Sequence, residues 1–288
     1  MRADGDGREA RPAPRAVRVG GIEIGGGAPL ALLAGPCAIE DEAHALRTAE
    51  ALVRLTQDAR VPFIYKSSYD KANRSAVRSY RGPGLREGLR VLRRVRDTFG
   101  CPVMSDVHLP QEVPEAAAAL DLLQIPAFLC RQTDLVLACG ESGRPVNVKK
   151  GQFVAPWDMR NVIEKLASVG GRDVLLTERG ASFGYNNLVV DLRSLAVMRG
   201  LGVPVVFDAT HSVQLPGGLG DRSGGERRYV AGLARAAVAF GVDALFMEVH
   251  EDPDRAPSDG PTMLPLAWLP GLLAEVRAIG AALTPGGR

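Results

Sequence analysis

Four residues carry side chains that bind divalent cations: Cys37, His211, Glu248 and Asp259. One thiolate, one imidazole and two carboxylates make a mixed donor set for a borderline ion such as Zn, Fe, Mn or Co, and ligand type alone does not choose among these. His250 is a rival ligand, because it stands two residues from Glu248 and shares its strand face. Each residue alone has a plainer role. A single Cys is usually a small buried hydrophobe, and a single His is usually a hydrogen-bonded support. His44 and His108 read in that second way, as surface residues or supports.

Five cations accompany this set: Lys66, Lys71, Arg74, Lys149 and Arg179. Long cations that face one another repel unless an anion neutralises them. The expected ligands are therefore small molecules with two or more phosphate or carboxylate groups. The stretch 214–228 holds five glycines with Arg222, Arg227 and Arg228. It reads equally as a lid over a phosphate or as a long solvated connection.

These residues need a frame that brings them together. Eight short apolar runs alternate with helix-like segments: Leu30–Leu33, Phe63–Tyr65, Val103–Met104, Leu122–Ile125, Val146–Val148, Val174–Leu176, Val205–Phe207 and Ala244–Met247. Between them, stretches such as 42–58 repeat apolar residues at helical spacing. Potentially reactive side chains stand at or just after the end of every run, from Cys37 through Lys66, Asp106, Gln124, Lys149 and Glu178 to Asp208, His211 and Glu248. The economical architecture is one closed parallel (β/α)8 barrel of the TIM type, whose C-terminal mouth collects those residues. An open doubly wound sheet is the rival, but no G-x-G-x-x-G follows the first run. Residues 17–24 alternate between Gly-rich turns and predict a small N-terminal β-hairpin. The expected organisation is a disordered tail over 1–16 and one barrel domain over 17–288.

Composition sets the remaining bounds. The chain has 288 residues, 46% of them hydrophobic, enough for one large core. A net charge of +2 offers no global field for nucleic acid or a membrane surface. The apolar runs look too short for the roughly 18 residues that cross a bilayer. Cysteines at 37, 101, 130 and 139 form no C-x-x-C pair, which fits a reducing, cytoplasmic setting.

The motifs also carry a resemblance. Ala34-Gly35-Pro36-Cys37-Ala38-Ile39-Glu40 and Lys66-Ser67-Ser68-Tyr69-Asp70-Lys71-Ala72-Asn73-Arg74-Ser75 resemble the 3-deoxy-D-manno-octulosonate 8-phosphate synthases. The likeness continues through Gln124 to Thr133, Asn147 to Gln152, Thr177 to Gly180, Phe207 to Ser212 and Ser258 to Pro261, and covers the chain from about Val17 onward. It implies condensation of phosphoenolpyruvate with D-arabinose 5-phosphate and water, a step toward the sugar that links lipid A to core in lipopolysaccharide. By motif, Lys66, Ser68, Lys71, Lys149 and Arg179 would form the phosphoenolpyruvate pocket, with Asp106 and Gln124 beside it. Asn73, Arg74 and Ser75 would contact the sugar phosphate, and Arg131 would reach a neighbouring subunit's sugar phosphate in a homotetramer. Lys71, Asp106, His211 and Cys37 would stand at the reacting centre, with Cys37 a metal ligand and not a covalent nucleophile. The family divides at the position of Cys37: members with Asn work without metal, and members with Cys need a divalent ion. Tyr69 stands where Phe is usual and Ala76 where a hydroxyl residue is usual, changes expected to have small effects. A sister synthase that uses erythrose 4-phosphate shares the Gly-Pro-Cys motif. It usually has Lys-Pro-Arg-Thr where this chain has Lys71 to Ser75. A non-catalytic, anion-binding barrel is the alternative of another class.

Overall fold

The computed structural model describes residues 14–74, 76–218, 220 and 223–283. Two short antiparallel strands, β1 (Val17–Val19) and β2 (Ile22–Ile24), form the expected hairpin, with Val17 opposite Ile24. Eight parallel strands follow: β3 (Ala31–Gly35), β4 (Phe63–Lys66), β5 (Val103–Asp106), β6 (Leu122–Ile125), β7 (Val146–Lys149), β8 (Val174–Glu178), β9 (Val205–Asp208) and β10 (Ala244–His250). Each pairs with its neighbour in sequence order. β10 pairs with both β9 and β3, which closes the cylinder. Among the described residues, eight α-helices cover it: α1 (Glu42–Asp58), α2 (Leu85–Phe99), α3 (Val113–Ala119), α4 (Thr133–Glu141), α5 (Met159–Ser168), α6 (Arg193–Arg199), α7 (Val230–Phe240) and α8 (Leu269–Leu283).

Local chemistry explains the elements. Asp41 caps α1 by accepting the His44 backbone N–H at 2.7 Å. Leu89, Leu92 and Val95 give α2 its buried stripe, and Gly100, at φ 67°, ends it in the left-handed conformation. Strand residues alternate between two cores. One set, including Leu32, Tyr65, Val103 and Phe207, packs under the helices. The other, including Leu33, Ile64, Met104, Leu122, Leu175 and Val206, fills the lower barrel interior. Val17, Val19 and Ile24 of the hairpin join this second core. The hairpin is thus a plug in the bottom of the barrel, and each of its buried side chains contributes roughly 1.5–3 kcal/mol of transfer free energy.

Two expectations need correction. Seven of the eight strands run one to three residues past the apolar stretches, and only Leu122–Ile125 ends where expected. The polar residues Lys66, Ser105, Asp106, Lys149, Thr177, Glu178, Asp208, Glu248 and His250 therefore lie within strands. In addition, one stretch does reach membrane-spanning length. Leu266–Leu283 spans 18 residues at mean hydropathy 1.4, with 22% of it buried. It is mostly α8, which packs Leu269, Leu272, Leu273 and Val276 inward as part of the barrel's helical shell. Of the expected tail, residues 1–13 lie outside the described residues. Pro14 is buried, and the Arg15 amide donates to the Gly202 carbonyl at 3.2 Å.

Candidate active site

Strand alternation continues above the apolar interior and turns polar. After Ile64, Met104, Leu122, Leu175, Val206 and Phe246, the next inward positions are Lys66, Asp106, Gln124, Thr177, Asp208 and Glu248. All are buried, and of them Lys66 and Asp106, with Lys149, line the floor of a cavity of about 350 Å³ at the C-terminal mouth, while the others lie beneath or beside it. Its walls include Lys71, Asn73, Arg74, Arg179 and His211. The aromatic ring of Phe246 lies 3.8 Å from Lys149 Nζ, a cation–π contact beneath the charged layer.

The cations are not bare, as the sequence suggested. Glu248 Oε1 accepts from Lys66 Nζ at 2.8 Å and from Lys71 Nζ at 3.3 Å. Lys149 Nζ donates to Asp208 Oδ2 at 2.7 Å, and Arg74 donates to Asp259 Oδ2 at 3.3 Å. Five cations meet four carboxylates here, Asp106, Asp208, Glu248 and Asp259, so a formal single positive charge remains. Burial pushes these carboxyls up, but the surrounding cations outweigh it and hold Asp106, Asp208 and Glu248 well below the usual range. Asp259, opposed also by Glu248, is held at about 2 through Lys71, His211 and Arg74.

Three of the four expected metal ligands meet closely. One atom each of Cys37, Glu248 and Asp259 lies within 4.8 Å of the others. His211 stands at the edge of this group, with Nε2 3.6 Å from Glu248 Oε2. Glu248 Oε2 itself is buried without a hydrogen-bond partner. A buried carboxylate with one orphaned oxygen, grouped with a thiol, a second carboxylate and an imidazole, is what a divalent ion would satisfy, so the donor set fits a metal. Burial, reinforced by Glu248, pushes the Cys37 thiol up, and its Sγ donates to Asp259 Oδ2 at 3.1 Å. Metal binding here would have to displace that proton. Asp259 has a left-handed backbone, at φ 52°. An aspartate tolerates this better than most residues, and the turn aims its carboxylate inward.

His250 is not part of this set. Its Nε2 lies 2.9 Å from Glu40 Oε1, beside the ring of His44. His44 is buried, which corrects its reading as a possible surface residue. His108 packs edge-on against Tyr69, whose hydroxyl donates to Glu112 at 2.8 Å, so the unusual hydroxyl is satisfied away from the cavity.

Asp106 accepts from Ser68 Oγ on one oxygen and from Gln124 Nε2 on the other. Gln124 Oε1 accepts from Asn147 Nδ2 at 2.8 Å, and Asn147 Oδ1 accepts from Thr177 Oγ1 at 2.7 Å. Ser68 and Gln124 thus support the floor through Asp106 and do not line the cavity. Arg131 is exposed and outside the cavity, and Ser75 lies outside the described residues. The stretch 214–228 forms a small ladder, Gln214–Leu215 with Gly224–Gly225, and Gly217 and Ser223 line the cavity. Arg227 pairs with Asp254 and Arg228 with Glu226, neither lines the cavity, and Arg222 is not described.

Sequence reasoning missed the roles of Asp208, Ser258, Asn147 and Thr177. Asp208 Oδ2 lies 2.8 Å from His211 Nδ1, off the ideal hydrogen-bond line, and Oδ1 accepts the His211 amide at 2.9 Å. Ser258 Oγ lies 3.1 Å from Cys37 Sγ and accepts from Arg74 at 2.6 Å. The period of two, read within the fifth apolar run for Asn147 and extended past the sixth and seventh for Thr177 and Asp208, would have placed all three on the inner face.

Comparison with known proteins agrees with this arrangement. The model of the DAHP synthetase I family matches residues 9–280. A 2-dehydro-3-deoxyphosphooctonate aldolase of Pelobacter propionicus is 59% identical over 269 residues, covering 93% of this chain and 99% of the relative. Proteins of the same name from Citrifermentans bemidjiense and Geobacter sulfurreducens are each 58% identical over 267 residues, with 93% and 98% covered. The chain therefore belongs to the DAHP synthetase I family and, within it, to the group of 2-dehydro-3-deoxyphosphooctonate aldolases.

Proposed function

We propose that this enzyme condenses phosphoenolpyruvate with D-arabinose 5-phosphate and water to give 3-deoxy-D-manno-octulosonate 8-phosphate and inorganic phosphate. The observation that carries the reading is the layer of buried cations at the mouth. Lys66, Lys71, Lys149 and Arg179 converge beside a wall that includes Asn73, with Arg74 over the candidate metal ligands. Such a layer suits one small doubly anionic donor held deep and one phosphorylated acceptor entering above it.

In this reading Lys66, Lys71, Lys149 and Arg179 hold the donor's carboxylate and phosphate, and Asp106, fixed by Ser68 and Gln124, orients Lys66 and Lys71. Asn73, Arg74 and Ser75 take the sugar phosphate. The donor's terminal enol carbon bonds to the sugar aldehyde carbon, whose oxygen takes a proton. Water then adds at the donor's second carbon and gives up a proton. Phosphate leaves by cleavage of its bond to that carbon. The cations keep the reactants in register and stabilise charge that grows on the phosphate and aldehyde oxygens. Cys37, His211, Glu248 and Asp259 would hold a divalent ion, which supplies Lewis-acid polarisation of an oxygen or of water when bound. His211, oriented by Asp208, is placed to hold water or move its proton. Arg131, exposed and outside the cavity lining, is assigned to a second subunit's sugar phosphate in a cytoplasmic homotetramer.

Phosphate release measured with arabinose 5-phosphate and with erythrose 4-phosphate, each with phosphoenolpyruvate, tests the assignment. The five-carbon sugar should be used strongly preferentially. Preference for erythrose 4-phosphate would assign the sister activity, and release with neither would remove the catalytic reading.

A further inference from the structure

Where the first turn of α1 meets the end of β10, two imidazoles and two carboxylates stand together that the proposed reaction does not use. His44 and His250 are both buried, with ring centroids 4.9 Å apart. Glu40 faces one edge of the pair, its Oε1 2.9 Å from His250 Nε2 and 3.8 Å from His44 Nδ1. Glu251 faces the opposite edge, its Oε2 3.0 Å from His44 Nε2. His44 Nδ1 is buried without a hydrogen-bond partner, although the residue is only 4% exposed.

We infer that Glu40, His44 and His250 form a second divalent-cation site, suited to Zn²⁺ and separate from the Cys37 set. Three observations converge on it. First, one ligand atom from each residue lies within 4.8 Å of the other two. Neighbouring ligands on a tetrahedral zinc ion, each about 2.0–2.1 Å from it, are about 3.4 Å apart, and the separations of 2.9 and 3.8 Å bracket that spacing. Second, Glu251 accepts from His44 Nε2, so the lone pair is on Nδ1, the unpartnered atom aimed at Glu40. This is the carboxylate–histidine support that metal-bound imidazoles use. Third, two carboxylates beside two rings create a local negative charge that a divalent cation offsets.

His250 must change tautomer to take part. Its Nδ1 accepts the Asp252 amide at 2.9 Å, which puts the ring proton on Nε2, facing Glu40. When the cation binds, Nε2 gives its proton to solvent and Nδ1 takes one. The ring stays neutral, and the amide of exposed Asp252 turns to water.

Zinc counting tests the site. Full-length protein is stripped with chelator, equilibrated with Zn²⁺, freed of unbound ion by gel filtration and analysed for bound metal. Wild type should hold two equivalents per chain. His44→Ala and Glu40→Gln should each hold one, Cys37→Ser one, and His44→Ala with Cys37→Ser none. Glu40 is partly exposed, so Glu40→Gln carries the test if His44→Ala fails to fold. One equivalent in wild type, lost with Cys37→Ser, overturns the inference, as does retention of two by both His44→Ala and Glu40→Gln. If Cys37→Ser alone kept the wild-type count, the Cys37 assignment would fall and this site would be judged by the other variants.

Discussion

Replacing Asp208 by Asn changes little in volume but alters what two neighbours can do. Asp208 is fully buried, its Oδ2 2.7 Å from Lys149 Nζ and 2.8 Å from His211 Nδ1, while Oδ1 receives Thr210 and the His211 amide. The Oδ1 contacts are from donors, so the Asn side chain keeps its oxygen there and turns its NH₂ toward Lys149 and His211. That NH₂ favours a lone pair on His211 Nδ1 and therefore a proton on Nε2, the nitrogen that faces Glu248. Loss of such a supporting carboxylate typically weakens metal binding 10–100-fold, about 1.4–2.8 kcal/mol. Lys149, which burial already pushes below the usual lysine range, loses its counter-charge as well. Removing one partner of a buried pair costs about 3–5 kcal/mol, so the metal-free variant should also melt earlier. Co²⁺ is the probe, because a thiolate ligand gives it an absorption band that oxygen and nitrogen donors alone do not. Chelator competition followed at that band measures affinity at the Cys37 set. A folded Asp208→Asn protein with wild-type Co²⁺ affinity would refute the support given to His211. Weakened binding with unchanged melting would refute the Lys149 pairing.

Other outcomes follow from the same geometry. Chelator-stripped enzyme should lose most activity and regain it with a divalent ion, and full activity in strong chelator would remove the metal assignment. Arg74→Ala should raise the KM for the sugar phosphate roughly 10–100-fold, the loss of one charge-assisted hydrogen bond of about 1.5–3 kcal/mol. A rise only in the KM for phosphoenolpyruvate would reverse the pocket assignment. A Cβ at Gly35 would sit 1.9 Å from the Lys66 carbonyl oxygen, so Gly35→Ala should cost about 3 kcal/mol or more, read by denaturant unfolding. In metal-free protein, Asp259 is held at about 2 when folded against about 3.9 when unfolded. A depressed folded value stabilises above the unfolded one, so its contribution to the melting temperature is present above about pH 4 and is lost as pH falls toward 2.

Much of the fold was legible because apolar runs and helix stripes repeat in a fixed order. The mouth was legible because Cys37, Lys66, Lys149 and Glu248 each close such a run. Side-chain direction was less so. Glu248 and His250 share a strand face by period, yet Glu248 turns to Lys66 and Lys71 and His250 turns to Glu40. That choice depends on rotamers and on loop residues far away in sequence. Arg227 and Arg228 read equally as part of a lid over a phosphate or of a solvated connection, and carboxylates at Asp254 and Glu226 take them. Neutralisation of the mouth by its own carboxylates was hidden for the same reason. Lys66 and Glu248 lie on strands that are not adjacent, and their contact forms only once the barrel has closed.

The closing seam has one more consequence. β10 runs beside β3 in register from Ala244 opposite Ala31 to Glu248 opposite Gly35, and Cys37 follows just beyond. The barrel is sealed where the earliest and latest candidate metal ligands meet. During synthesis Cys37 emerges before Glu248 and Asp259, and its thiol waits for them. A chain that still lacks those residues cannot assemble this candidate ligand set, so the set forms only after residue 259 has emerged.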